Sequence, residues 1–405
     1  MFRRLTGLAG AFLLLLSTAQ ADLNIRGFLK TYAGINTHQT DQWERLNSHL
    51  QLQFSGRTGH RIAYRADLVA RYNFLADRHA LASRSAGLEL YPAEVYVDYY
   101  GNRLDIRIGQ QYLFWGRADW VNPTDVFNPW DYANMSSDLE DYRIPIPAAK
   151  FSFYPKTGHL EVIYAPRLIP DKIPNPLSPS VGDSSLDQAQ FGLRYANDLS
   201  AVAWSFYAYH GWRKRPEIKT LQFPEPPLLT YRKLDMIGAD FIYTGEKWAV
   251  KGEGAFNFSE DRAGDDPYTA NDNFYGVLGG DWIPGDDFSL NLQGIVRHYF
   301  DYNPSQDTQA LATQELTDVI AVPEGTSFSA SSVIRYKLYK YIDLQCIGVF
   351  NLDRKDWFWL GFVSWEMADA THLTLGGMFF DGPRGSEFGN SSQADQVFIQ
   401  LKTSF

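Results

Sequence analysis

The sequence predicts an all-β protein, a single transmembrane antiparallel up-and-down β-barrel of about 18 strands, with 16 as the alternative count. Three observations predict this fold. Polar and apolar residues alternate along most of the chain, with the period of a half-buried strand. Short turn-like connections alternate with long polar ones. The last segment, 397–405, has a strand pattern and ends on the aromatic Phe405.

The predicted strands follow one another without a domain boundary, and their number is even, as single-chain bacterial barrels require. We expect strands near 23–36, 46–56, 61–73, 88–100, 103–114, 147–155, 160–168, 188–197, 199–210, 231–244, 247–258, 273–283, 287–299, 327–339, 341–351, 357–367, 371–381 and 395–405.

The connections predict which end of each strand lies on which side of the membrane. Turn residues such as Gly101-Asn102 and Asn197-Asp198 make the short connections. Longer loops alternate with them, near 37–45, 74–87, 115–146, 169–187, 211–230, 259–272 and 300–326. Short periplasmic turns and long outer loops are typical of outer-membrane barrels. A soluble sandwich or propeller is disfavoured, because its turns are spaced differently.

The N-terminus has the pattern of a secretory signal. Arg3-Arg4 precede the short apolar run Leu8–Leu16, and Ala19-Gln20-Ala21 matches an A-x-A cleavage site. The apolar run is too short for a membrane-spanning helix, which needs about 20 residues. We therefore expect residues 1–21 to be a signal peptide and 22–405 to form the barrel.

Composition agrees with a barrel that meets lipid outside and water inside. Aromatic residues make up 15% of the chain, and charged residues make up 21%. Cys346 is the single cysteine, so an intrachain disulfide is excluded. The net charge of −10 disfavours nucleic-acid partners, which bind basic surfaces.

Strand alternation predicts a charged interior in the N-terminal third of the barrel. Charges facing lipid at the midplane would cost about 2–4 kcal/mol for each Arg or Lys, so they are expected to face inward. The residues in question are Arg61, Arg65, Arg103, Arg107, Glu94 and Asp98. They either line a pore electrostatically or simply pair with one another and stiffen the barrel.

The 115–146 connection is the strongest candidate for a pore constriction, since loops this long usually have a function. If it folds inward, its charges Arg117, Asp119, Asp125 and Asp131 would face the arginines across the lumen. Trp115, Trp120 and Trp130 offer stacking faces for sugars or aromatic solutes, or else pack the loop against the wall.

Two motifs resemble known barrels. The strand ending on Phe405 resembles the signature by which outer-membrane barrels are recognised for insertion. The run W-G-R-A-D-x-x-N-P-x-D-x-x-N-P-x-D from Trp115, preceded by I-G-Q-Q, resembles a motif of a proteobacterial porin-like family. The resemblance implies a Gram-negative outer-membrane location. It implies contacts with membrane lipids, lipopolysaccharide, the barrel assembly machinery and small-molecule solutes, and leaves a homo-oligomer open.

We therefore expect a channel for passive diffusion of small hydrophilic or amphipathic solutes. A facilitated channel for aromatic or hydrophobic compounds and a non-conducting adhesion barrel stay open as alternatives. We expect no enzyme activity, because the eight histidines are scattered and no G-x-S-x-G nucleophile motif occurs. No metal ion and no cofactor are expected.

Overall fold

The fold is a closed barrel, seen in a computed structural model of the chain. The structure describes residues 23–38, 43–75, 87–119, 121–132, 142–172, 186–220, 228–307 and 324–405. Within them, eighteen strands form one antiparallel sheet and two short strands form a separate hairpin. No helix in these described ranges is long and apolar enough to cross a membrane.

The strands are numbered in chain order. They are β1 Asn24–Asn36, β2 Trp43–Thr58, β3 Ile62–Asn73, β4 Leu88–Tyr100, β5 Leu104–Gln111, β6 Ile146–Phe153, β7 His159–Ala165, β8 Gln190–Leu199, β9 Val202–Trp212, β10 Glu217–Thr220, β11 Leu228–Thr230, β12 Lys233–Thr244, β13 Trp248–Phe258, β14 Asn273–Gly285, β15 Phe288–Tyr299, β16 Thr326–Leu338, β17 Ile342–Asn351, β18 Asp356–Ala368, β19 Thr371–Asp381 and β20 Gln396–Ser404.

The sheet closes because its first strand pairs with its last. Strand β1 is hydrogen-bonded to β2 on one side and to β20 on the other. At the seam, Gly27 and Phe405 exchange two backbone hydrogen bonds of 2.9 Å. The predicted all-β barrel and its count of 18 strands are confirmed. The β10–β11 hairpin lies inside the predicted 211–230 loop and was not anticipated.

The two faces of each wall strand differ in polarity, as the alternation predicts. In β20, Val397, Ile399 and Leu401 are exposed on the outer surface, whereas Phe398 and Gln400 are buried inside. The apolar residues of this strand thus lie on the outer surface of the barrel, where an outer-membrane barrel meets lipid.

A bulge between β3 and β4 changes which residues of β4 face inward. Ala66 pairs with Val95 and Leu68 with Pro92, so Asp67 lies opposite two residues of β4. Pro92 suits this position, since a proline cannot donate a ladder hydrogen bond. Because of the bulge, Tyr91 and Glu94 line the same cavity although one is odd-numbered and the other even-numbered.

The two larger apolar clusters of the described residues lie inside the barrel. Each combines inward residues of neighbouring strands with one connection that folds onto them. The first packs Leu113, Trp115 and Phe127 against β6, β7, β9, β12 and β13. The second packs Phe388 and Ala394, from the β19–β20 connection, against β16–β20 and β1. These clusters position the two connections inside the lumen.

Candidate functional site

The connection between β5 and β6, residues 112–145 and here called the inward loop, enters the barrel. The structure describes it except for 120 and 133–141. Trp115 is 2% exposed, and its indole N–H donates to Glu161 of β7 at 3.0 Å. Trp115 also packs edge-on against Phe127 at 4.9 Å between ring centroids. This tryptophan fixes the loop and offers no stacking face. Trp120 lies outside the described residues.

Glu253 of β13 is the main anchor of the inward loop. Its Oε2 accepts hydrogen bonds from the backbone N–H groups of Arg117 at 2.8 Å and Ala118 at 3.0 Å. Its Oε1 accepts from the N–H and the hydroxyl of Thr124, both at 2.8 Å. Gly116 has φ +88°, and a Cβ there would lie 2.5 Å from the Glu253 carboxylate. One buried carboxylate thus satisfies four donors of the loop.

The charged residues Arg117 and Asp119 bind the same side of the barrel. Arg117 donates from Nε to Asp240 of β12 at 3.0 Å. Asp119 accepts from Lys251 of β13 at 2.6 Å and from the amide of Asn291 of β15 at 2.8 Å. Both residues therefore face the wall of β12–β15, and their partners are not the arginines of β3 and β5.

Asp125 and Asp131, the other two acidic residues in the described part of the loop, face basic partners of their own. Asp125 forms an ion pair with Arg143, which belongs to the same loop. Asp131 lies 3.8 Å from Arg71 of β3 and 3.4 Å from Lys172. Burial raises the pKa of the Asp125 carboxyl to about 6, although the Arg143 guanidinium opposes the shift. Among the loop carboxylates that the structure describes, Asp131 is the one that meets the N-terminal wall.

Inward charges of β3–β5 form two paired groups. Arg65 makes a two-pronged contact with Asp67 at 2.7 and 3.0 Å and lies 3.4 Å from Glu94. Arg107 makes a similar contact with Asp98 at 2.7 and 3.0 Å. The structure brings these four predicted residues, Arg65, Arg107, Glu94 and Asp98, onto one stretch of wall. Each arginine there has a carboxylate partner.

Arg61 and Arg103 lie elsewhere, at the barrel end that carries the short turns. Arg61 precedes β3 and donates to the hydroxyl of Tyr99 at 3.4 Å. Arg103 precedes β5, and its carbonyl accepts a hydrogen bond from Tyr154 at 2.9 Å. Both side chains are exposed. They belong to the rim of the barrel and not to the wall that faces the inward loop.

Two wall glycines make room for the inward loop. A Cβ at Gly238 of β12 would lie 2.6 Å from the Thr124 methyl group. A Cβ at Gly192 of β8 would lie 2.6 Å from both Phe127 and Trp115. Real Cβ atoms do not approach neighbours this closely, so the loop can lie against the wall only because these positions lack side chains.

A cavity of about 1220 Å³ remains between the inward loop, β1–β5, β14–β18 and β20. It extends from Asp131 and Lys172 of the long-loop end to Asp286 and Asp287 at a short turn. Eight basic and six acidic side chains line it, so its wall is polar and mixed in charge. They are Arg65, Arg71, Arg143, Arg167, Lys172, Arg335, Lys337, Lys402, Asp67, Glu94, Asp131, Asp286, Asp287 and Asp343.

The residues that hold the loop were not identified from the sequence. Asp240, Lys251 and Glu253 are charges in the middle of predicted strands, so alternation alone could have placed them inside the barrel. Their loop partners are more than 120 positions away in sequence, as for Glu253 and Thr124. Nothing in a strand pattern encodes which inward charge a distant loop will meet.

The closed 18-stranded barrel, with a connection folded into its lumen, has the fold of outer-membrane porins. The chain belongs to the family described as "Protein of unknown function (DUF1302)", whose model matches residues 69–319. No curated protein sequence matches the chain.

Similar solved structures include barrels from two bacteria. OccD3 (OpdP) of Pseudomonas aeruginosa is 9% identical, with a TM-score of 0.59 over 95% of this chain and 91% of that one. OccAB1 of Acinetobacter baumannii is 8% identical, with a TM-score of 0.59 over 95% and 96%. OccK9 (OpdG) of P. aeruginosa is 11% identical, with a TM-score of 0.56 over 95% and 98%. These similarities establish the fold.

Proposed function

We propose that this protein is an outer-membrane channel through which small hydrophilic or amphipathic solutes diffuse passively. The observation that carries the proposal is the inward loop, which Glu253 anchors beside a polar cavity of about 1220 Å³. In this role residues 1–21 direct export. Lipids and lipopolysaccharide surround the barrel, the assembly machinery inserts it, and it works as a single chain or as a homo-oligomer.

The size of the barrel supports an aqueous passage. Barrels of 16–18 strands are wide enough for a water-filled channel, whereas 8-stranded barrels are filled by their own side chains. Here the two apolar clusters and their connections occupy part of the lumen, and the mixed-charge cavity is the space that remains. A solute would therefore pass along β1–β5, beside Arg65 and Asp67.

Because the charges of the wall are paired, we expect a moderate electric field across the lumen and only weak discrimination between anions and cations. Each of Arg65 and Arg107 faces a carboxylate within 3 Å, so the field of each pair falls off faster than that of a single charge. Such a wall orients polar solutes during passage without holding them, and conduction requires weak binding.

Reversal potentials under a salt gradient test this assignment. Arg65→Gln/Arg107→Gln leaves Asp67, Glu94 and Asp98 uncompensated, so the channel should shift its preference toward cations. The matched control is Arg61→Gln/Arg103→Gln, which removes two charges from the rim and should shift the reversal potential less. Equal shifts for the two double variants would contradict the proposed placement of the conduction path along this wall.

The two alternative functions predict a different electrical record. A conduit for hydrophobic compounds would pass almost no salt current while still moving an apolar dye across a bilayer. An adhesion barrel would pass neither and would keep its binding to surfaces. The polar lining of the cavity favours the diffusion channel over both.

A further inference from the structure

We propose that the stacked rings of Tyr112 and Phe114 form a binding site for planar aromatic anions on the conduction path. This inference rests on the proposed channel function and specifies one class of solute that the channel would retain briefly. It assigns the stacking role to residues at the start of the inward loop and not to the tryptophans that the sequence suggested.

The first observation is an exposed aromatic surface inside the barrel. Tyr112 and Phe114 stack with their ring centroids 5.9 Å apart and an interplanar angle of 16°. Both line the cavity, and Phe114 is 61% exposed. An apolar ring left open on a polar lumen wall loses the stabilisation of burial, and exposed aromatic surface of this kind often marks a ligand site.

The second observation is that the stack is fixed at one end. The guanidinium of Arg143 lies 5.6 Å from the Phe114 ring centroid and 3.7 Å from that of Trp130. Arg143 is in turn held by its ion pair with Asp125. The rings are therefore held in place before a solute arrives, which lowers the entropy lost on binding.

The third observation is an excess of positive charge around the rings. At the long-loop end of the cavity, Arg71, Arg143, Arg167 and Lys172 line the wall together with the carboxylate of Asp131. Glu89 and Asp125 pair with Arg71 and Arg143 behind the lining, so this end carries one net positive charge. Arg167 is exposed and forms no ion pair within the described part of the chain. At the short-turn end, by contrast, three cations face three carboxylates. A carboxylate on an aromatic ring would meet the cations while the ring stacks on Phe114.

The shape and charge of the site together specify the solute. Stacking favours a flat ring over a puckered one of equal size, because only the flat ring can lie face to face with Phe114. The cations favour an anion over an amine. Benzoate combines the two features, whereas cyclohexanecarboxylate lacks the flat ring and benzylamine lacks the negative charge.

Partial block of the ion current in planar bilayers tests the proposal with the full chain. Benzoate should reduce the current at about five- to tenfold lower concentration than cyclohexanecarboxylate, as stacking energies of this size imply. Benzylamine should block least. Phe114→Leu keeps apolar bulk without a flat ring, so it should lose the benzoate preference while its ion current persists.

The matched control is Phe74→Leu. Phe74 is an exposed ring that packs on Tyr72 and does not line the cavity. Benzoate and cyclohexanecarboxylate should block the current of this variant as they block that of the unaltered protein. An ion current with equal block by benzoate and cyclohexanecarboxylate, or an unchanged preference in Phe114→Leu, overturns the aromatic site alone. Absence of any ion current in the unaltered protein overturns the channel function and this inference with it.

Discussion

At the scale of single residues, Glu253 decides where the inward loop lies. Its two oxygens accept four hydrogen bonds, three of them from backbone N–H groups of the loop. A buried carboxylate with this many donors is stabilised, whereas the donors left behind by its removal would be costly. The loop position therefore depends on one side chain of the opposite wall.

Glu253→Gln should loosen the loop without breaking the barrel. The amide places an N–H₂ group opposite two donors of the loop, so the docked position loses about 3 kcal/mol. We expect a larger and noisier single-channel current. Glu246→Gln, an exposed glutamate in the next turn, is the matched control and should leave the current as it was. An identical trace for the two variants would refute the anchoring role.

Asp125 makes the loop respond to pH. Burial raises the pKa of its carboxyl from 3.8 to about 6, so the folded chain takes up a proton that the unfolded chain does not hold in this range. The free energy of unfolding should therefore fall as the pH rises from about 4 to about 6, by up to about 3 kcal/mol. Urea unfolding in lipid vesicles measures the change. Asp125→Asn should give a shallower dependence, and a slope equal to that of the unaltered protein would contradict this.

At the scale of structural elements, the inward loop can lie against β12 because the strand has a glycine, Gly238, at the point of contact. Gly238→Val would push the Thr124 methyl group away, since even a Cβ lies 2.6 Å from it. We expect a raised conductance and new proteolytic cleavage within the loop. Gly285→Ala is the control, because no atom lies within 4 Å of a Cβ there. Equal cleavage of both variants would mean that loop and wall are not in contact.

The wall strands could be predicted from sequence and the loop contacts could not. Strand β4 matches its predicted range, 88–100, because alternation and the cost of lipid-facing charge act locally. The β3–β4 bulge was missed, since one extra residue leaves the polarity pattern almost unchanged. The pairing of Asp119 with Lys251 was missed because it depends on how a loop crosses the lumen.

For the interior arginines, strand alternation predicts which face of the wall each side chain lies on, but not its height along the barrel axis. Arg65 and Arg107 lie well inside their strands, and the structure places both at the lumen wall. Arg61 and Arg103 share their parity but stand next to turns, where the strand has ended. At the rim, both faces of a strand meet water. The side on which a charge next to a turn lies therefore does not show whether it lines the pore.

At the scale of the whole molecule, two connections fill part of the lumen beside a polar cavity. The inward loop packs on the β6–β13 side, and the β19–β20 connection packs on the β16–β20 side. The seam between β1 and β20 pairs nine residues of each strand, so the wall is closed at this point. Solutes would then cross along the axis, and the inward loop would set the width of their path.

The central claim is that the inward loop narrows an open channel. Single-channel conductance in planar bilayers tests it most directly, with the full chain compared against a variant that lacks residues 116–131. The account predicts steady, ohmic current steps for the full chain and larger steps for the shortened one, because removal of the loop widens the passage. Current steps of equal size in both proteins, or a full chain that inserts and passes no current, would contradict it.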